Sequence, residues 1–300
     1  MDRRVATFNV DNIARTKAYE QFGRKHPEIR WARLAGMVSR NAGWNLTDLT
    51  TEPFQSLLTR STRQNIAWIY ERANWLIFRD AYPQLLTYEK YKRTGKWNVL
   101  PLQEYGVSLF MLREWNRFIE EKDEWRLMNA LIINEQMMVE EHLFQRSKVE
   151  AFFQSALYKM ESYLHFSHVL FPQMPCTRKT MYGECVKDFA NPIKRIELGK
   201  RLAHLLYHPT LQYQFHQFMD EVEPTGSRGD YGAVKKSLPI RVVYPRCSHA
   251  NVEPTDWYES RQPEKVERLF TPLEVCKPKT INPYIAQMEL ACLNWLKKDK

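Results

Sequence analysis

Three stretches of this sequence have residue types and spacings that could do chemistry. "SRNAGWNLTDL", residues 39–49, gathers Ser39, Arg40, Asn41, Asn45, Thr47 and Asp48 around one glycine and one tryptophan. Helix ends in such a stretch can turn backbone N–H groups toward an anion. "YERANWLIF", residues 70–78, puts Glu71 and Asn74 on the same side of an apolar helix as Trp75 and Phe78. A buried carboxylate there must meet an arginine or a hydroxyl or take up a proton, and a carboxyl of raised pKa is what general acid–base catalysis uses. "PTGSRGDYGAVKK", residues 224–236, spaces Gly226, Gly229 and Gly232 by three, with Arg228 as a bidentate fork and Lys235 and Lys236 as added charge. Such a loop can cradle an anion without being a P-loop, because the Gly-Lys-Ser/Thr ending is missing.

Each stretch also has a plainer reading. Asn45 and Asp48 have the spacing of an N-cap and an acidic third residue, and Gly43 would be the left-handed stop of the preceding helix. On that helix Arg40 points away from the apolar face, toward water. Glu71 would belong to a structural polar network, and residues 224–236 would be a connector.

Other chemistries find little support. His165 and His168 are three apart and His204 and His208 four apart, but no Glu-x-x-His register accompanies them, so no metal is expected. The five cysteines are odd in number and form no CxxC, which argues against a disulfide framework or a zinc knuckle. No Gly-x-Ser-x-Gly occurs, and no tightly held cofactor is implied. The net charge of +9 invites a nucleic-acid reading, yet the excess is spread along the chain rather than drawn into a stripe. Lys194, Arg195, Lys200 and Arg201 read as the solvated face of a helix whose Ile193, Ile196, Leu202, Leu205 and Leu206 look inward.

The elements that must position these residues are helices. Pro27 opens a helix with Trp31, Leu34, Ala35 and Val38 on one face. "STRQNIAWIYERANWLIFRDAYP" opens with the capping box Ser61-x-x-Gln64 and closes before Pro83. From Val107 to Phe171 there is no proline or glycine, and polar residues predict breaks near 121–123 and 145–148. Further helices are expected over Ile193–Tyr207 and Leu211–Val222. Eight of the sixteen prolines fall in the last eighty residues, which marks an irregular segment in which only "LPIRVVYP" has strand-like content, before a final helix from Pro283 to Lys297. The expected fold is therefore all-α: a multi-helix globular bundle with a helical body over 1–220 and a Pro-rich wrap over 221–300, forming one structural unit. No window is long and apolar enough for a membrane span and no secretory signal opens the chain, so a cytoplasmic protein is expected, without membrane association.

Taken in order, "MVSRNAGWNLTDL", "YERANWLIFRDAYPQLLTYE", "NEQMMVEEHL" and "PTGSRGDYG" resemble a family of helical proteins from Bacillus-like Gram-positive bacteria, domain of unknown function 2515, over about residues 25–290. The resemblance implies an intracellular bacterial protein and lends no catalytic residues.

The expected function is a binding or scaffold protein whose polar groove accepts an anionic or a protein partner. Its site would be drawn from Ser39, Asn41, Asn45, Asp48, Glu71, Asn74, Arg228, Asp230 and Tyr231. One alternative is a hydrolase or phosphoryl-processing enzyme with Glu71 or Asp48 as base and Arg228 as anion clamp. Another is a nucleic-acid-binding protein, which would show a steeply negative salt slope.

Overall fold

The computed structural model describes residues 3–144, 168–174, 181–186, 188, 191–232, 238–250, 255–259, 261–274 and 277–282. The fold is predominantly helical, with one small antiparallel sheet. Its helices are α1 (Arg3–Phe8), α2 (Asn12–Lys25), α3 (Arg30–Asp48), α4 (Glu52–Leu57), α5 (Arg60–Thr94), α6 (Leu100–Glu104), α7 (Leu109–Glu121) and α8 (Glu124–Val139). Then come α9 (Pro192–Leu206), α10 (Gln212–Glu221), α11 (Ile240–Val243) and α12 (Pro263–Glu267). The strands are β1 (His168–Phe171), β2 (Met181–Cys185) and β3 (Thr280–Ile281), in that order across the sheet.

α8 is apolar almost all round, and a helix of that kind belongs inside. Leu127, Met128, Ala130, Leu131, Ile132 and Ile133 are all buried, with α3, α5, α7 and α9 packed around them. The break expected near 121–123 is present: Lys122 takes a left-handed conformation and Asp123 caps α8 by accepting from Arg126 N at 2.8 Å. The helices expected over Ile193–Tyr207 and Leu211–Val222 are α9 and α10. The second break, near 145–148, and the final helix lie outside the described residues.

Several local expectations are corrected. α5 starts one residue before Ser61, and its cap is Thr59, whose Oγ1 accepts from Thr62 N at 3.2 Å. It continues through Pro83 to Thr94, since the buried Pro83, Leu85 and Tyr88 gain enough from packing to outweigh the roughly 3 kcal/mol that an interior proline costs. "LPIRVVYP" forms the single turn α11 rather than a strand, because Pro239 fixes the entry and Tyr244 N closes on Ile240 O. The strand β1 arises instead inside the proline-free run.

Gly43 does not stop α3. The helix passes straight through it, so Asn45 is an interior residue and not an N-cap. Glycine is required there by close approach: a Cβ would meet Asn12 Oδ1 at 2.7 Å and the Cα of Gly226 at 2.9 Å. Gly43→Ala is accordingly expected to cost about 1–3 kcal/mol as an overpacked site. A urea midpoint indistinguishable from wild type would show that the contact between α3 and the 224–232 loop is loose.

Arg40 is not solvated. It is buried, its Nε donates closely to Glu20 Oε1, its Nη2 bonds Glu20 Oε2 at 3.0 Å, and Nη2 also reaches Met219 O at 3.1 Å and Val222 O at 2.6 Å. The last two bonds satisfy carbonyls at the C-terminal end of α10, a place that favours a cation. Arg195 and Lys200 are likewise buried. Arg195 bonds Gln136 Oε1 and Glu140, while Lys200 Nζ bonds Thr271 O at 3.1 Å. The solvated face expected of α9 thus holds for Lys194, which is exposed and pairs with Glu197 on its own helix, but not for Arg195 and Lys200, which contact neighbouring segments.

Candidate functional site

The first three turns of α5 place Arg60, Arg63, Gln64, Trp68 and Glu71 on one helix face, at spacings of three and four. Opposite them runs the chain around α11, with Arg241, Tyr244, Arg246 and Cys247, and Asp11, Asn12, Leu46 and Thr50 close the remaining side. Together these residues bound a cleft of about 810 Å³, within the size range typical of small-molecule sites.

Asp11 organises one wall. It caps α2 by accepting from Ala14 N at 2.8 Å, and it receives Arg241 Nε at 2.9 Å, Arg241 Nη2 at 3.0 Å and Arg246 Nε at 3.0 Å. Burial works to raise its pKa, but the bonds from Arg241, Ala14 and Arg246 outweigh it, so the carboxylate titrates below its ordinary value. One anion therefore holds two arginines at the cleft wall. Across the cleft, Arg63 donates to Leu58 O and Leu49 O, both at 3.3 Å, and so ties the ends of α4 and α3 to α5. Among the described residues neither Arg60 nor Arg63 pairs with a carboxylate. The N-terminal end of a 35-residue helix adds partial positive charge at this wall. Trp68 is 43% exposed and offers an apolar face to the same space.

Glu71 meets an arginine, as its burial requires. Arg15 Nη2 lies 2.6 Å from its Oε1, and His249 Nε2 is 4.0 Å away. Burial pushes the carboxyl up, yet Arg15 and His249 outweigh it and the pKa is lowered. Glu71 is thus a carboxylate at neutral pH, and the raised pKa expected of a general acid is absent.

The remaining sequence candidates separate into two places. Asp48 and Arg228 hold each other: Arg228 Nε lies 2.9 Å from Oδ2 and 3.1 Å from Oδ1, its Nη2 also bonds Oδ2, and its guanidinium stacks 4.3 Å over the Trp44 ring. Burial raises the Asp48 pKa in spite of that partner. Asp230 closes a capping box with Ser227 and accepts from Thr225 N at 2.9 Å, while Tyr231 packs edge-on against Trp44. Ser39 accepts from Thr16 Oγ1 at 2.7 Å and from Asn12 Nδ2 at 3.2 Å. Arg228 and Tyr231 thus tie the glycine-containing loop to α3, Asp230 fixes the loop's own turn, and Ser39 joins α3 to α2. Arg228 is engaged by Asp48 and does not stand open as a clamp. Lys235 and Lys236 lie outside the described residues.

Asn41, Asn45 and Asn74 border a separate, partly open cavity. Asn41 works as a surrogate strand, since its Oδ1 accepts from Leu170 N at 2.6 Å and its Nδ2 donates to Leu170 O at 3.0 Å. Asn45 Nδ2 adds a bond to His168 O at 3.1 Å. The edge of β1, whose backbone groups would otherwise lack partners, is satisfied by α3 in this way. Asn74 Nδ2 donates to Tyr70 O at 2.8 Å.

His204 and His208 both border a small pocket beside α9. His168 is on β1, His204 stacks on Trp125 with ring centroids 5.2 Å apart, and His208 lies beyond the end of α9; His165 is outside the described residues. Among the described residues no group of three His, Cys, Asp or Glu side chains is placed to hold a metal ion.

Of the residues that line the cleft, sequence reasoning singled out Glu71 and missed the arginines and Trp68. The signal was present in the spacing of Arg60, Arg63, Gln64 and Trp68, but it becomes legible only once the helix start is put at Arg60. It also passed over two carboxyls. Burial raises Asp80 and Glu135 to about 7, against the pull of the hydrogen bonds each accepts. Asp80 Oδ2 accepts from Gln84 Nε2 at 2.8 Å and Asn134 Nδ2 at 2.7 Å, and Asn134 Oδ1 in turn accepts from Ser108 Oγ and Trp257 Nε1.

Fold and cleft together define a predominantly helical protein with a cationic groove between its longest helix and its C-terminal segment. The chain belongs to the family described as "Protein of unknown function (DUF2515)", whose model matches residues 7–272. This bears out the resemblance drawn from the four sequence segments. The chain is also 42% identical over 277 residues to the "Uncharacterized protein YppC" of Bacillus subtilis (strain 168), an alignment covering 90% of this chain and 84% of that protein. No solved structure matches the chain. Among the described residues, no helix is long and apolar enough to cross a membrane.

Proposed function

We propose that this is a cytoplasmic binding protein whose arginine-lined cleft takes an anionic ligand, one that offers phosphate or carboxylate oxygens to the arginines and a flat apolar face to Trp68. The observation that carries the reading is that Arg60 and Arg63 line the cleft without a carboxylate partner among the described residues. Four arginines face Asp11 and Glu71 there, and Glu71 is already claimed by Arg15. An anion would complete the pairing that the protein leaves open, and arginine forks match phosphate and carboxylate oxygens in geometry. The free thiols of Cys185 and Cys247 suit a reducing compartment. The hydrolytic alternative loses support, because Asp48 and Arg228, its proposed base and clamp, are paired with each other, and Glu71, its other proposed base, is paired with Arg15, which lowers its basicity. We take the chain as one structural unit, since Arg228, Arg241 and Trp257 of the C-terminal part bond to Asp48, Asp11 and Asn134 of the body.

A thermal-shift series tests the reading, run on wild type and Arg60→Ala with inorganic phosphate, pyrophosphate, nucleoside phosphates and short single-stranded nucleic acid. A ligand at a hundred times its dissociation constant stabilises by about 2.7 kcal/mol. The expected result is a shift with at least one phosphate compound that shrinks in Arg60→Ala. A shift confined to the nucleic acid, with a steep salt slope, would favour the nucleic-acid alternative. An Arg60→Ala shift equal to wild type would place the anion elsewhere.

A further inference from the structure

The partly open cavity bordered by Asn41, Asn45 and Asn74 is a site of different character from the cleft. Its volume is about 140 Å³; an apolar protein cavity of about 150 Å³ admits benzene. Its walls come from α2, α3, α5, α8, α9 and β1, and most are aliphatic, as with Leu34, Val38, Ile77 and Leu202. Three aromatic residues, Tyr19, Trp31 and Tyr70, face the same space, and one carboxyl, that of Glu135, opens onto it.

Two polar features of this lining have no structural explanation. Tyr19 is 3% exposed, yet among the described residues its hydroxyl has no hydrogen-bond partner. A buried hydroxyl left unpaired costs about 1–3 kcal/mol. Glu135 accepts only from neutral donors, Trp31 Nε1 at 3.1 Å and Gln136 Nε2 at 2.9 Å, and among the described residues no cation pairs with it. The cation on the lining, Arg195, is turned to Gln136 and to Glu140 at 2.8 Å. Asn45 and Asn74 use their Nδ2 groups on backbone carbonyls, which leaves amide oxygens as acceptors at the wall. The cavity is therefore rich in acceptors and aromatic faces, and Arg195, the cation on its lining, is already paired with Glu140.

We propose that this cavity binds a small organic cation, a primary ammonium on a compact apolar body, seated against Glu135 and flanked by Tyr19, Trp31 and Tyr70. An ammonium has three donors and no acceptor, the complement of a carboxylate, amide oxygens and a phenol. Aromatic faces attract it further, most strongly where water is excluded. Glu135 must be ionised to pair with it. Burial holds that carboxyl near 7, and the groups around it act in opposite senses: Asp80 from α5 raises it, the Trp31 indole from α3 and Gln136 on its own helix lower it, and Tyr19 from α2 and Arg195 from α9 complete its surroundings. Affinity should accordingly rise about tenfold between pH 6 and pH 8, as the ionised fraction does.

The test uses isobutylamine and benzylamine against isobutanol and benzyl alcohol, followed by thermal shift and calorimetry at pH 6 and pH 8. The expected result is stabilisation by an amine and not by its matched alcohol, about tenfold tighter binding at pH 8, loss of the shift in Glu135→Gln and severalfold weaker binding in Tyr19→Phe. Should Glu135→Gln fail to fold, Tyr19→Phe and the wild-type pH profile decide. Alcohols that bind as well as amines, amine binding unchanged in both variants, or no shift with any compound would each overturn the proposal; the last would leave a cavity that holds water alone.

Discussion

Arg40→Ala is expected to destabilise the protein by about 3–5 kcal/mol, the range for removing one partner of a buried ion pair. The guanidinium does two jobs at once: it neutralises Glu20, which is as deeply buried as Arg40, and it satisfies the Met219 and Val222 carbonyls where α10 ends. Truncation would leave an uncompensated carboxylate and two orphaned carbonyls between α2, α3 and α10. Burial already raises the Glu20 pKa against the pull of Arg40, and without that arginine the carboxyl would be raised further. A carboxyl whose folded pKa lies above its unfolded value binds a proton more readily when folded, so stability falls as pH rises through the interval between the two. The deficit of Arg40→Ala should hence be larger at pH 8 than at pH 5. Urea midpoints at the two pH values measure it, and a loss below 1 kcal/mol at pH 8 would mean that this pair contributes as little as a surface one.

Asp80→Asn should act in the opposite direction, stabilising the protein by about 2–4 kcal/mol at pH 8 with little effect at pH 4. The folded carboxyl titrates near 7 while the unfolded one titrates at 3.8. Between those values the folded state keeps a proton that the unfolded chain has lost, at a cost to folding of about 1.4 kcal/mol per pH unit. An asparagine has no such proton to hold. Both donors on Asp80, from Gln84 and Asn134, converge on the single oxygen Oδ2, so an amide oxygen in that place keeps both bonds. The new NH₂ group needs a partner, which is why the lower end of the range is included. Equal destabilisation at both pH values would show that Asp80 is not held protonated by its surroundings.

How much of this was legible in the sequence depends on the range of the interactions involved. The helices over 192–206 and 212–221, the break at 121–123 and the helical class follow from local rules of period and capping, and the family resemblance follows from the quoted segments. Boundaries failed where a distant contact overrode a local preference. Gly43 looks like a helix stop until Asn12 and Gly226 are seen against it, and Pro83 looks like one until both halves of α5 are seen packed. Wheel arguments put Arg40 and Arg195 in water because a lone helix shows no partners; Glu20 and Glu140, 20 and 55 residues away, draw them inside. Asn41 reads as a site residue and proves to hold β1, a strand that local propensity does not announce. Glu71 is the candidate for which the sequence argument from burial gave the right consequence, an arginine partner, though not its identity as Arg15. The cleft went unread because half of it, Arg241 to Cys247, lies about 180 residues from the α5 face it opposes.

The central claim is that the arginine cleft binds an anion, and a calorimetric titration of pyrophosphate into wild type and into Arg60→Ala tests it most directly, each at low and at physiological salt. The account predicts saturable one-site binding to wild type that weakens at higher salt, and an affinity at least tenfold lower in Arg60→Ala while its unfolding free energy in urea stays within about 0.5 kcal/mol of wild type, as for an exposed residue. Equal affinity in the two proteins, or no heat with wild type at millimolar pyrophosphate, would contradict it.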